Sequence, residues 1–132
     1  MNRLSKRDFL KSRAPKTRDV EIPEWGGTVT VQEMTAEQRD EFDEYVISMR
    51  EENKVKGLRA VVVSICTVDE YGKRIFTDLD IPDLQKKSAT IIGRISDEAM
   101  KLSGLSEEDV EERVKNSETG PASDSSSSSA ES

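Results

Sequence analysis

The stretch "GLRAVVVSICTVDEYGKRIF", residues 57–76, decides the fold. Its β-branched run favours a strand by propensity, because Val and Ile fit a pleated, half-buried surface. Two periodicities compete within it. Leu58, Val61, Val62 and Ile65 recur at helical spacing, while Val61, Val63 and Ile65 alternate as on a strand. Periodicity alone does not settle so short an apolar run. The reading taken is a buried helix through about Cys66. A short hairpin then turns at Asp69 to Gly72, with Ile75 and Phe76 on the return. With that choice the chain reads as α+β: a predominantly helical small domain with one or two short β-hairpins and disordered termini.

Upstream, "TAEQRDEFDEYVISMREEN" is the clearest helix. Thr35 and Gln38 form a capping box, and Phe42, Tyr45, Val46 and Met49 fall at i, i+3, i+4 and i+7 on one face. Before it, "RDVEIPEWGGTVTVQEM" alternates Val20 and Ile22, then Val29 and Val31, around Gly26 and Gly27. That is a hairpin pattern, and Pro23 places a strand end or sheet edge there. Trp25, the single tryptophan, is expected to cover the small core. Downstream, "SATIIGRISDEAMKLSG" sets Ile91, Ile92, Ile95, Ala99 and Leu102 on one helical face, with Gly104 as its stop. "SEEDVEERVKN" offers a second capping box, Ser106 with Asp109, and a narrow stripe of Val110 and Val114.

Charge divides the chain further. Residues 1–16 form a basic flexible arm or short helix, residues 17–115 the folded domain, and residues 116–132 a Ser-rich acidic tail. The tail, "NSETGPASDSSSSSAES", has no large apolar side chain to offset the entropy of ordering, so disorder is expected. The whole chain of 132 residues is 36% charged with a net charge of −7, so its core must be modest.

Composition also limits the chemistry. The chain has no histidine, which removes Ser-His-Asp and Cys-His nucleophile systems and histidine-bearing zinc sites. Its single cysteine, Cys66, excludes an internal disulfide and lies in an apolar run, where an inert buried thiol is expected. The N-terminus has no apolar signal region, and no run approaches the roughly 18 residues needed to cross a bilayer. A soluble cytoplasmic protein with no membrane partner is the expectation.

The acidic cluster "TDLDIPDL" poses the question of catalysis. Asp78, Asp80 and Asp83 lack the glycine and late glutamate of a calcium loop, and Pro82 interrupts the pattern. Helix capping explains Asp80, and a first-turn carboxylate explains Asp83. No catalytic residue, metal or cofactor is assigned. The basic arm is the other candidate: its cations suit phosphate backbones, so a small nucleic-acid-binding regulator is the alternative reading, with neutralisation of an acidic partner beside it.

Several stretches in order resemble the tail assembly chaperones of long-tailed, non-contractile phages. They are "WGGTVTVQEMT" (Trp25 to Thr35), "VDEYGKRIFTDLDI" (Val68 to Ile81), "LQKKS" (Leu84 to Ser88) and "LSGLSEEDVEERVKNS" (Leu102 to Ser117). The family more often has asparagine where Ser103 stands, and the basic arm is less typical of it. The resemblance implies a non-enzymatic protein of the host cell cytoplasm, absent from the mature virion. Its partner would be the tape measure protein, kept soluble before the tail tube forms. A longer form made by translational frameshifting would recruit tail tube protein. Phe76, Leu79, Ile81, Leu84, Ile91, Ile92 and Ile95 are the candidate partner-binding side chains, core packing being their other reading.

Overall fold

A computed structural model describes residues 2–12 and 15–115. Residues 58–66 are helical, and the reason is burial. Helix α3 (Leu58–Cys66) buries Leu58 and every residue from Ala60 to Cys66. A segment apolar on all sides is stable only with neighbours on all sides. Here they are α2 (Ala36–Glu52), α4 (Ile81–Leu84), α5 (Ala89–Leu102) and strand β2 (Gly27–Gln32). Gly57 makes the helix start workable. Its φ is +76°, and a Cβ there would stand 3.0 Å from Gln85 Nε2, so a side chain would be both strained and crowded.

Strand β1 (Thr17–Ile22) pairs antiparallel with β2, Val20 opposite Val29. Val20, Ile22 and Val31 point into the core and charged residues point out. β2 pairs in turn with β3 (Thr67–Val68), giving one three-stranded sheet in the order β1-β2-β3. Helix α5 packs across β1 and β2, and α3 lies against α5. Helix α6 (Glu107–Lys115) packs on α2 and buries Val110 and Val114, the expected stripe. A short helix α1 (Lys6–Leu10) precedes the sheet.

The α2 capping box is present in both directions, each hydrogen bond 3.1 Å long. Phe42, Val46 and Met49 are buried and Tyr45 packs beside them.

Several expectations are corrected. Trp25 is 51% exposed, because the 3-10 turn Pro23–Trp25 holds it at the hairpin tip away from the core. The hairpin after Cys66 shortens to the single bridge Val68 to Arg74, although Asp69 to Gly72 does form the turn. Ile75 on its return is half-exposed. In α5, Met100 is fully buried and Leu102 only partly, since the core extends around both sides of the helix. At α6, the Asp109 amide donates to the Ser106 hydroxyl at 3.1 Å. The expected disorder of residues 116–132 lies outside the described residues.

Candidate functional site

The three aspartates have separate jobs. Asp80 does not cap α4 with its side chain. Its carboxylate instead reaches back to accept the Thr77 amide at 2.8 Å, while the Thr77 hydroxyl accepts the Leu79 amide at 3.2 Å. Thr77 and Asp80 thus form a capping box on the 3-10 turn Asp78–Asp80. Asp83 occupies the first turn of α4, where the helix dipole favours a carboxylate. Asp78 faces Arg74 at 3.8 Å. Among the described residues, no three His, Cys, Asp or Glu side chains are grouped to hold a metal ion.

Arg74 organises this corner. Its Nε donates to the Ser64 carbonyl at 3.1 Å and an Nη to the Ser64 hydroxyl at 3.0 Å. The Ser64 carbonyl belongs to the last turn of α3, where backbone acceptors lack helical partners. Arg74 also lies 3.5 Å from Glu41. Burial pushes the Glu41 carboxyl above its ordinary range; Arg74 opposes the rise and the nearby Asp78 adds to it. Burial raises the Tyr45 hydroxyl too, again with help from Asp78.

The seven candidate partner-binding residues do not form one patch. Phe76 and Leu79 line a shallow cleft of about 460 Å³ with Glu41, Arg74, Thr77 and Asp78. Leu79 is 88% exposed there. Leu84 and Ile92 belong to the floor of a second, larger groove of about 590 Å³, together with Val55 and Leu58. The Arg59–Glu107 ion pair, 2.5 Å apart, stands on its rim. Ile81 is half-buried against the core, and Ile91 and Ile95 are within it.

Sequence reasoning missed Glu41, Arg74, Val55 and Leu58 as surface-shaping residues. Glu41 and Arg74 are 33 residues apart, so no local pattern joins them. A second surface was likewise unsignalled: at the hairpin tip Glu24 and Arg94 pair through two hydrogen bonds of 2.8 Å beside exposed Trp25. The Arg94 bonds lower the Glu24 carboxyl to about 2.

Cys66 is 1% exposed, and burial pushes its thiol up to about 12, so it is no nucleophile near neutral pH. No described helix is long and apolar enough to cross a membrane. The protein belongs to the class of small, heavily charged α+β domains with an apolar-floored groove and a separate acidic and apolar cleft on the surface.

The comparisons with known proteins take that class to a family. The sequence profile of the phage tail assembly chaperones matches residues 9–116, and the chain belongs to that family. Among solved structures, the tail assembly chaperone of bacteriophage HK97 is similar in fold, with a TM-score of 0.54 and 16% sequence identity. The likeness covers 76% of this chain and 95% of that one. No curated protein matches. Family membership implies a non-enzymatic role in tail assembly, with a phage tail protein as partner.

Proposed function

We propose that this chain binds the tape measure protein of its phage and keeps it soluble until the tail tube forms around it. The work would be done in the host cytoplasm, and the chaperone would be left out of the finished virion. A longer frameshifted product would share residues 17–115 and use its extension to recruit tail tube subunits.

The observation that carries the reading is the surface itself. A domain with a modest core keeps Leu79 in solvent beside Phe76, and keeps a second groove floored by Val55, Leu58, Leu84 and Ile92. An amphipathic helix laid in such a groove contributes apolar anchors at i, i+3, i+4 and i+7. The −7 charge then holds the complex in solution. Ile81 packs partly buried against the core, and Ile91 and Ile95 lie within it, so these three serve the core and not the binding surface.

Co-expression tests the proposal. The tape measure protein is expected in the soluble fraction, co-purifying with this chain, and in the pellet without it. Recovery of soluble tape measure protein in equal amount without the chaperone overturns the reading. The double variant Leu79→Asp/Leu84→Asp is expected to lose the client; Leu79→Asp alone separates surface loss from any instability at Leu84.

A further inference from the structure

The groove floored by Val55, Leu58, Leu84 and Ile92 has a charge opposite to that of the chain that builds it. Its rim holds the cations Lys54, Arg59, Lys87 and Lys115 against the carboxylates Glu107 and Glu111, a local net of +2. The whole chain is −7. Lys54 follows the end of α2, Lys87 lies between α4 and α5, and Lys115 ends α6, so packing and not local sequence brings these cations to one opening.

Most of that positive charge is uncommitted. Arg59 is paired with Glu107. Burial pushes the Glu107 carboxyl above its ordinary range; Glu111 beside it adds to the rise and Arg59 opposes it. Lys54, Lys87 and Lys115 are exposed, and among the described residues none of the three has an ion-pair partner. The backbone adds the same sign. No side chain caps α3 at Gly57, and the first-turn residues Leu58, Arg59 and Ala60 line the groove. The positive end of the helix dipole therefore lies at this opening.

The floor provides a seat and the rim provides choice. Leu58, Leu84 and Ile92 are buried and Val55 half-buried, so little apolar area is left to tell one greasy helix from another. Discrimination has to come from charge. We infer that this groove selects client helices whose polar flanks are acidic, with Lys54, Lys87 and Lys115 as the side chains that read the flank. The inference rests on the client reading and deepens it. The segment held here is an amphipathic helix with apolar anchors at i, i+3, i+4 and i+7 and carboxylates beside that stripe. Opposite charge orients the helix and speeds its encounter with the groove. The Phe76–Leu79 cleft, with Glu41 and Asp78 against Arg74, leans the other way, so the two surfaces favour different segments.

Methyl NMR titrations with synthetic helices test this, Val55 and Ile92 reporting on the groove and Leu79 on the cleft. Two peptides share Leu at i, i+3, i+4 and i+7 and differ only in flanking Glu or Lys; a third keeps the Glu and has Ala in place of every Leu. The Glu-flanked helix is expected to saturate the Val55 and Ile92 shifts at about ten-fold lower concentration than the Lys-flanked one, and to weaken as NaCl rises from about 50 mM to about 500 mM. A chain of −7 acting through its overall charge has the opposite preference. Lys54→Glu/Lys87→Glu changes two exposed sites, and circular dichroism checks that the fold is kept. This variant is expected to bind the Glu-flanked helix about ten-fold more weakly and the Lys-flanked helix more tightly, an exchange that loss of structure does not produce. Equal or tighter binding of the Lys-flanked helix to the parent chain at Val55 and Ile92 overturns the inference. So does a double variant that keeps its grip on the Glu-flanked helix, or an anchor-free peptide that binds as tightly as its Leu-bearing parent. None of these readouts uses tape measure protein, so their failure leaves its solubility in co-expression, and the proposed function, standing.

Discussion

Replacing Arg74 with methionine removes the guanidinium and keeps most of the apolar stem. The donors lost are the Nε to the Ser64 carbonyl at 3.1 Å and an Nη to the Ser64 hydroxyl at 3.0 Å. Ser64 is fully buried, so its carbonyl at the end of α3 is left without a partner. A hydrogen bond from a charged group to a buried acceptor is worth about 1.5–3 kcal/mol. The ion pairs to Glu41 and Asp78, at 3.5 and 3.8 Å, are longer and partly in solvent. They add about 0.5 kcal/mol at most. The expected loss is therefore about 2–3 kcal/mol, or roughly 8–20 °C in Tm for a domain near 100 residues. Arg74→Lys keeps the charge but places one point cation where a fork served three acceptors, so about half the loss remains.

The pH dependence of this variant has a definite sign. Burial raises Glu41 above its ordinary value in the folded state. A raised carboxyl contributes stability below its unfolded pKa and loses it as pH rises through its folded pKa. Without Arg74 the folded pKa climbs further, so the variant's deficit is smallest in acid and grows toward neutral pH. Urea titrations of the parent, methionine and lysine chains at several pH values measure this. A loss under about 0.5 kcal/mol near neutral pH would show that Arg74 is a solvated surface cation and refute the reasoning.

Three other outcomes follow from particular contacts. Among the described residues the buried Thr67 hydroxyl has no partner, so Thr67→Val is expected to hold or raise stability by about 1 kcal/mol in thermal unfolding; a loss of that size would reveal a partner to the hydroxyl. Glu24 should titrate by NMR near 2, and Arg94→Gln should return it toward its ordinary 4.5. A lowered carboxyl stabilises above its unfolded pKa and loses that contribution as pH falls through the folded one, so the acid-side slope between 4.5 and 2 should flatten in this variant. Cys66, its thiol raised to about 12 by burial, should resist iodoacetamide at mildly alkaline pH in the native chain and react promptly in urea.

Much of the helical frame is readable from local pattern. The Thr35–Gln38 box and the Phe42, Val46, Met49 stripe lie within one helix, and both are where spacing puts them. The ambiguous run 58–66 resolves to a helix because burial of every residue but Arg59 outweighs β propensity, a long-range fact that periodicity does not carry. The sheet is less legible. β3 has only two residues and joins β2 from 36 positions away, Thr67 opposite Val31, so the reading of separate hairpins misses their union. Trp25 misleads because its size argues for burial, while Pro23 and the left-handed Gly26 turn it outward.

The candidate surface follows the same rule. Phe76 and Leu79 are neighbours in sequence and share a cleft. Leu84 and Ile92 meet Val55 and Leu58 only through the packing of α3, α4 and α5. Arg74 and Glu41 acquire meaning only once the hairpin brings one beside the helix that carries the other.

The central claim is that this domain works by covering another protein's apolar helices. Light scattering of unfolded tape measure protein, diluted into buffer without nucleotide, tests it most directly. The chaperone is expected to suppress aggregation at near-stoichiometric ratios, and Leu79→Asp, though folded, to do so poorly. Aggregation unchanged by the native chaperone at any ratio would contradict it.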